Sequence, residues 1–254
     1  MAKQERHGGR GRRSGVVTSA KRSGPPRGFW IALVGLALAG IAGLSWMASR
    51  SKVQVTRLDP NLPAMKADGY VLGSPTAPVE VVEFADFECL ACAQFATLTE
   101  PDVRTRLVNT GQVRVRFIDY PLAMHRNTWD ASLAAACAND QGRFWEMHDV
   151  LFTNQDRWNT QATSRPRGPI GGLARSVGLD MSKYEACMDA DTHRAKIQAH
   201  LDEGNKRQIG STPTFVFNGL VVPTALPYDA FKKYVDDALK AVPTRSDSAV
   251  GTKK

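Results

Sequence analysis

The chain has 254 residues, 43% of them hydrophobic, enough apolar material for one sizeable core or two small ones. Its formal net charge is +8. Residues 1–28 hold eight basic side chains, from Lys3 to Arg27, against the single acid Glu5. The remainder is therefore close to neutral, which excludes the broad basic surface of a nucleic-acid binder.

Residues 1–28, rich in Gly, Ser, Arg and Pro, read as a disordered cytoplasmic tail. Phe29 to Ala48 is an uncharged run of 20 residues; as a helix it spans about 30 Å, the thickness of a bilayer core. Trp30 and Trp46 stand near its ends, where interfacial aromatics are expected, and the preceding basic block keeps the amino end in the cytoplasm. The run is expected to be an uncleaved transmembrane anchor with the body of the chain outside. A cleaved signal peptide is the alternative, but no clean small-x-small site follows. Residues 49–68, with Pro60 and Pro63, read as a stalk, and a folded domain is expected over 69–241.

Within that domain Val79–Phe84 is a β-branched run that reads as a strand. A helical segment from about Cys89 to Asn109, interrupted at Pro101 and stopped at Gly111, leads to a second strand at Val113–Ile118. A strand, a helix and a strand in this order predict a parallel pair with a right-handed crossover. A helical block follows over about 122–208, with helices expected at 128–138, 142–152, 170–177, 181–188 and 192–207. Thr214–Val222 then reads as two short strands turned at Asn218-Gly219, a strong type I′ hairpin signal. Residues 228–241 carry Phe231, Tyr234, Val235, Ala238 and Leu239 on one helical face. Residues 242–254 read as a loose tail.

The chemistry concentrates at Cys89-Leu90-Ala91-Cys92, where the first strand ends and a helix begins. The unpaired N–H groups of a helix start favour a thiolate at Cys89, and the thiolate is the attacking species in disulfide exchange. Cys92, one turn on, can close a disulfide with it or resolve a mixed one. A structural zinc site would need four ligands in close pairs, whereas Cys137 and Cys187 stand apart and the histidines show no paired spacing. A purely structural Cys89–Cys92 bridge would close a tiny loop and restrain the unfolded chain little. Neither a metal nor a cofactor is expected. Glu83 lies inside the apolar first strand, pointing away from Val82 and Phe84. It is either a solvent-facing carboxylate or a buried acid whose raised pKa lets it relay a proton to Cys92. Pro213 opens the late strand, where a proline removes a ladder donor; a cis Thr212–Pro213 bond would present the Thr212 backbone to an incoming peptide. His125 and His148 read as packing or hydrogen-bonding residues, and Phe144, Trp145 and Phe152 as core.

The runs VEVVEFADFECLACAQF, VRVRFIDYPLAMH, AAACANDQGRFWEMHDVLF and GSTPTFVFNG together resemble the DsbA family of thiol:disulfide oxidoreductases, and most of all its membrane-anchored extracytoplasmic branch. The resemblance spans about residues 69–241. It implies an α/β thioredoxin-like fold with an inserted helical domain, here preceded by one transmembrane helix. It implies that Cys89 is the exposed nucleophile, Cys92 its buried partner, Glu83 the proton relay, and Thr212-Pro213 a cis pair facing the thiols and touching substrate. In four-cysteine relatives the counterparts of Cys137 and Cys187 form a second, structural disulfide, worth roughly 4 kcal/mol on chain-entropy grounds; two buried free thiols are the alternative. The chain departs from the strongly oxidising members in having Leu90-Ala91 where they carry a histidine. Residues 49–68 are too short for the dimerisation domain of the isomerase branch, although that branch also favours a threonine at Thr212.

These readings converge on a monomeric membrane-anchored oxidoreductase that passes its disulfide to cysteine-containing exported proteins. The resemblance implies reoxidation by a membrane quinone-linked partner of the DsbB or VKOR type. Reductase or isomerase activity in the same compartment is the alternative, and a chaperone-like binding protein for unfolded exported chains is the alternative of another class.

Overall fold

The structure, a computed structural model, describes residues 26–50 and 53–242. The expectations for residues 1–25 and for the tail from 243 lie outside the described residues. Helix α1 (Arg27–Arg50) forms a compact unit of its own. Its stretch Arg27–Trp46 has mean hydropathy 2.0 and is long and apolar enough to cross a membrane; its large side chains, Leu36 and Leu44 among them, are exposed.

The second unit begins at Val53 and is built on six strands: β1 (Thr56–Arg57), β2 (Tyr70–Leu72), β3 (Val79–Ala85), β4 (Val113–Asp119), β5 (Thr214–Phe217) and β6 (Leu220–Val222). Their order across the sheet is β1-β6-β5-β3-β4-β2. The expected parallel pair is β3 with β4, and the other pairings are antiparallel. Asn218 and Gly219 hold φ of 46° and 80°, the left-handed pair that a two-residue hairpin needs and that Gly adopts without strain.

After β3 come α2 (Leu90–Leu98), α3 (Glu100–Val103) and a π-helical turn at Arg104–Val108. Pro101 sits in the first turn of α3, where its missing N–H costs nothing; the interruption expected at Pro101 falls at Thr99, where α2 meets α3. Between β4 and β5 lie α4 (Thr128–Asn139), α5 (Phe144–Thr153), α6 (Arg167–Ser176), α7 (Met181–Asp189) and α8 (Arg194–Lys206), and α9 (Tyr228–Lys240) closes the described chain.

The strand alternation sorts the core. Val79 and Val81 face one side with Phe95, Val103, Leu107, Phe215 and Phe231, so α2, α3 and α9 cover that face. Val82 and Phe84 face the other with Ile118, Tyr120 and Val216, and Leu58, Met65 and Leu201 pack there. Gly204 on α8 is required by this contact: a Cβ would lie 2.5 Å from the Tyr120 ring. Aromatic Phe87 and the alanines of α4 anchor the third cluster, within the helical block.

The stalk expected over 49–68 is corrected from Val53 onward. Thr56 and Arg57 pair with Val221 and Leu220, and Arg207 Nη2 donates to the Pro63 carbonyl at 3.1 Å. An uncovered β6 would present an open sheet edge, and this segment, whose charges and prolines disguise its few apolar anchors, closes it. Strand β2 likewise has no periodic signal in the sequence; three residues pair along β4 and bury only Tyr70 fully.

Candidate active site

Strand β3 ends at Ala85, and the chain turns through Asp86-Phe87-Glu88 before α2. Cys89 is the N-cap of α2, with extended φ −73° and ψ 123°, and its N–H donates to the Asp86 carbonyl at 3.0 Å. Both thiols are free in this structure, Cys89 8% exposed and Cys92 fully buried. The Thr212–Pro213 bond is cis, and Cys89 Sγ donates to the Thr212 carbonyl across the site at 3.4 Å. The two segments singled out in the sequence, 123 residues apart, are therefore in contact.

The environment separates the two sulfurs. Cys89 is held down to about 6, first by the Cys92 thiol donating to it, against the opposing effect of burial, and then by Thr212 and the backbone N–H groups of Cys92 and Ala91. The Thr212 hydroxyl has no hydrogen bond to the neutral thiol and is free to turn toward the thiolate. Cys92 is pushed well up, by burial first and then by its contact with Cys89. One sulfur is thus an anion near neutrality and the other a proton-holding leaving group.

Glu83 resolves to the buried alternative. It is 2% exposed, flanked in the sheet by Phe117 and Phe215, and its Oε2 has no hydrogen-bond partner. Burial pushes its carboxyl well above the usual range, the Glu100 charge pushes it further, and Arg104 opposes. It adds to the upward push on Cys92, which places its charge within electrostatic reach of that thiol.

Three polar residues at the site carry no motif signal in the sequence. Asp86, buried at 1%, accepts from the Glu88 N–H at 2.7 Å, the Thr128 hydroxyl at 2.6 Å, the Leu122 N–H at 2.8 Å and His125 Nδ1 at 2.8 Å. Glu88 accepts from the N–H groups of Asn127 (2.9 Å) and Thr160, and Gln155 Nε2 donates to the carbonyls of Phe87 and Cys89 at 2.8 and 3.1 Å. These bonds tie the thiol turn to the start of the helical block. His125 is more than a packing residue: its pKa is raised by the Asp86 hydrogen bond, against burial, and further by the charges of Asp86, Glu88 and Cys89. The only hint in the sequence is a histidine shortly after a strand end.

Cys137 and Cys187 form a disulfide joining α4 to α7, across 50 residues. His148 is buried on α5.

A thioredoxin family model matches residues 66–237. The Disulfide bond formation protein D of Bacillus subtilis is 29% identical over 174 residues, 67% of this chain and 77% of that protein. The Na(+)/H(+) antiporter NhaA 3 of Salinispora tropica is 35% identical over 151 residues, 59% of this chain; the chain spans only 22% of that relative's length. Among solved structures, oxidised BdbD from Bacillus subtilis superposes with a TM-score of 0.64 at 26% identity, covering 73% of this chain and all of that one. The chain belongs to the thioredoxin family. Its fold is thioredoxin-like, with a helical block between β4 and β5.

Proposed function

We propose that this chain introduces disulfides into exported proteins, passing its Cys89–Cys92 disulfide through a mixed disulfide at Cys89. The observation that carries the reading is the polarised pair: Cys89 held down to about 6 against Thr212, and Cys92 buried and pushed up. A stabilised Cys89 thiolate favours the dithiol form, and a pair whose reduced form is favoured is an oxidant. Glu83 supplies the proton that Cys92 takes when it leaves, and Thr212-Pro213 offers its backbone to the client chain. Helix α1 anchors the domain on the extracytoplasmic side, where disulfides persist, and Cys137–Cys187 is structural. A quinone-linked membrane protein of the DsbB or VKOR type reoxidises the enzyme, which acts as a monomer.

The deciding measurement is the reduction potential of the Cys89–Cys92 couple in the full chain, by equilibration with glutathione buffers. A value well above the roughly −270 mV of thioredoxin is expected, and a value at or below it would reverse the direction to reductase. Cys89→Ser separates oxidase from holdase: lost client oxidation with retained capture of the unfolded client supports the holdase reading, and lost oxidation without capture supports the oxidase reading. Oxidation that persists would remove Cys89 from the chemistry.

A further inference from the structure

A line of ionisable groups runs through α3 and α5, and all of it except its inner end takes no part in the exchange at Cys89. Glu100, at the start of α3, and His148, on α5, are each 1% exposed. Glu100 Oε1 accepts from Arg104 Nη2 at 3.0 Å. Its other oxygen, Oε2, has no hydrogen-bond partner and stands 3.7 Å from His148 Nε2. The opposite ring nitrogen of His148, Nδ1, is 2.8 Å from Asp149 Oδ1. Asp149 is half exposed and pairs with Arg104 at 2.6 Å. Both residues line a surface cavity of about 430 Å³ with Ala96, Thr97, Pro101 and Phe152.

The inner end of the line is Glu83. It points to the sheet face that α2 and α3 cover, and its neighbour in the register is Phe117, whose ring meets the His148 ring edge-on at 5.4 Å. The Glu100 charge is among the causes that raise Glu83. The groups facing Glu83 are thus Cys92 from α2, Glu100 from α3 and Arg104 from the π-helical turn, with His148 and Asp149 behind them on α5.

We propose that Glu100 and His148, with Glu83, form a proton path connecting the buried Cys92 sulfur to solvent at the Arg104–Asp149 rim of that cavity. This rests on the oxidoreductase reading above. Two buried carboxyls, each with an oxygen lacking any partner, are costly in a core. Holding Arg104 in place explains only Oε1 of Glu100. Its unpartnered Oε2, aimed at a buried imidazole whose far nitrogen reaches an exposed acid, is explained by proton traffic. A π-helical turn at Arg104–Val108, a form that recurs at functional sites, sets Arg104 on this line.

The steps balance. A client thiolate attacks Cys89 Sγ, the Cys89–Cys92 bond breaks, and its electron pair leaves on Cys92. Cys92 takes the proton of Glu83, which is refilled through Glu100 and His148 from water at the rim. A second client thiolate then attacks the client sulfur of the mixed disulfide and releases Cys89 as the thiolate. When a disulfide-bearing partner reoxidises the pair, Cys92 returns its proton to Glu83 and the proton leaves by the same line.

The test uses the detergent-solubilised full chain, oxidised, mixed with a reduced dithiol peptide and quenched with acid across pH 5–9. Glu100→Gln and His148→Gln are expected to slow Cys92 release roughly tenfold, at the low end of general acid–base effects, and to change the shape of the pH profile. The alkylation titration of Cys89 should stay at about 6 in both variants. Glu100→Asp, which keeps a carboxyl, should recover most of the rate, and added imidazole should restore His148→Ala. Profiles superimposable on the parent while Glu83→Gln is slow would overturn the path. So would a rate loss that keeps the parent profile and resists imidazole, the signature of a packing role. If His148 variants fail to fold by circular dichroism, the Glu100→Gln and Glu100→Asp pair decides alone. Persistent exchange in Cys89→Ser would instead sink the oxidoreductase reading and leave the path without a reaction.

Discussion

Cys89 owes its acidity to atoms from distant segments of the chain. The motif supplies the helix-start N–H groups and the neighbouring Cys92; the loop at Thr212 and the loop at His125 complete the surroundings. His125 is raised because Asp86 holds its Nδ1, so it remains cationic above its ordinary titration range and loses its charge as pH climbs through the raised value. His125→Gln is expected to lift the Cys89 pKa by roughly one unit, the size of a nearby charge effect. The pH dependence of iodoacetamide labelling reads this directly, and an unmoved titration would show that the imidazolium is irrelevant to the thiol. The two cysteines were legible because their spacing carries the chemistry. Asp86, Glu88, Gln155 and His125 were not, since their partners (Thr128, Asn127, Thr160, Leu122) come together only once the helical block folds over β3. Glu83 was half legible: strand alternation gives its side of the sheet, while α2 and α3 decide that this side is dry.

At the level of elements, the periodic ones were readable: β3, β4, the Asn218-Gly219 hairpin, and α4 to α9 within a few residues. Elements whose stability comes from pairing rather than pattern, β1 and β2, were not; two or three residues cannot show a period, and their energy lies in closing the sheet at β6 and β4. The disulfide between α4 and α7 ties the ends of a long segment of the helical block. Replacing Cys137 and Cys187 together by Ala is expected to cost about 4 kcal/mol of unfolding free energy on the chain-entropy argument, measured by urea denaturation at fixed pH. The Cys89 titration should be unaffected, because the groups that lower Cys89 are Cys92, Thr212 and Ala91, none of them on α4 or α7. A loss under about 1 kcal/mol would mean that packing of the buried alanines of α4 already restrains this segment.

For the molecule as a whole, redox state and stability are linked through the thiolate. In the dithiol form Cys89 titrates at about 6 when folded and near 8.5 when unfolded. A depressed pKa stabilises the native state above the unfolded value, and that support is lost as pH falls through the folded one. The Cys89–Cys92 disulfide form has no such term. The melting temperature of the dithiol form relative to the disulfide form should therefore rise between pH 5 and pH 8.5; a difference flat across that range would mean that the thiolate is not stabilised. What the sequence determined by itself was local: a membrane-length apolar helix, a thiol pair at a strand-to-helix junction, the order of the periodic elements, and the motifs that carry the family likeness. Those are properties of spacing and side-chain type, which act over a few residues. Tertiary structure alone decided which ionisable groups are dry and which charges face one another: Glu83 under the thiols, His125 on Asp86, and Glu100 against His148. Burial and Coulomb interaction depend on distance in space, and in this chain those distances are set by segments far apart in sequence, as Cys89 and Thr212 are, 123 residues apart.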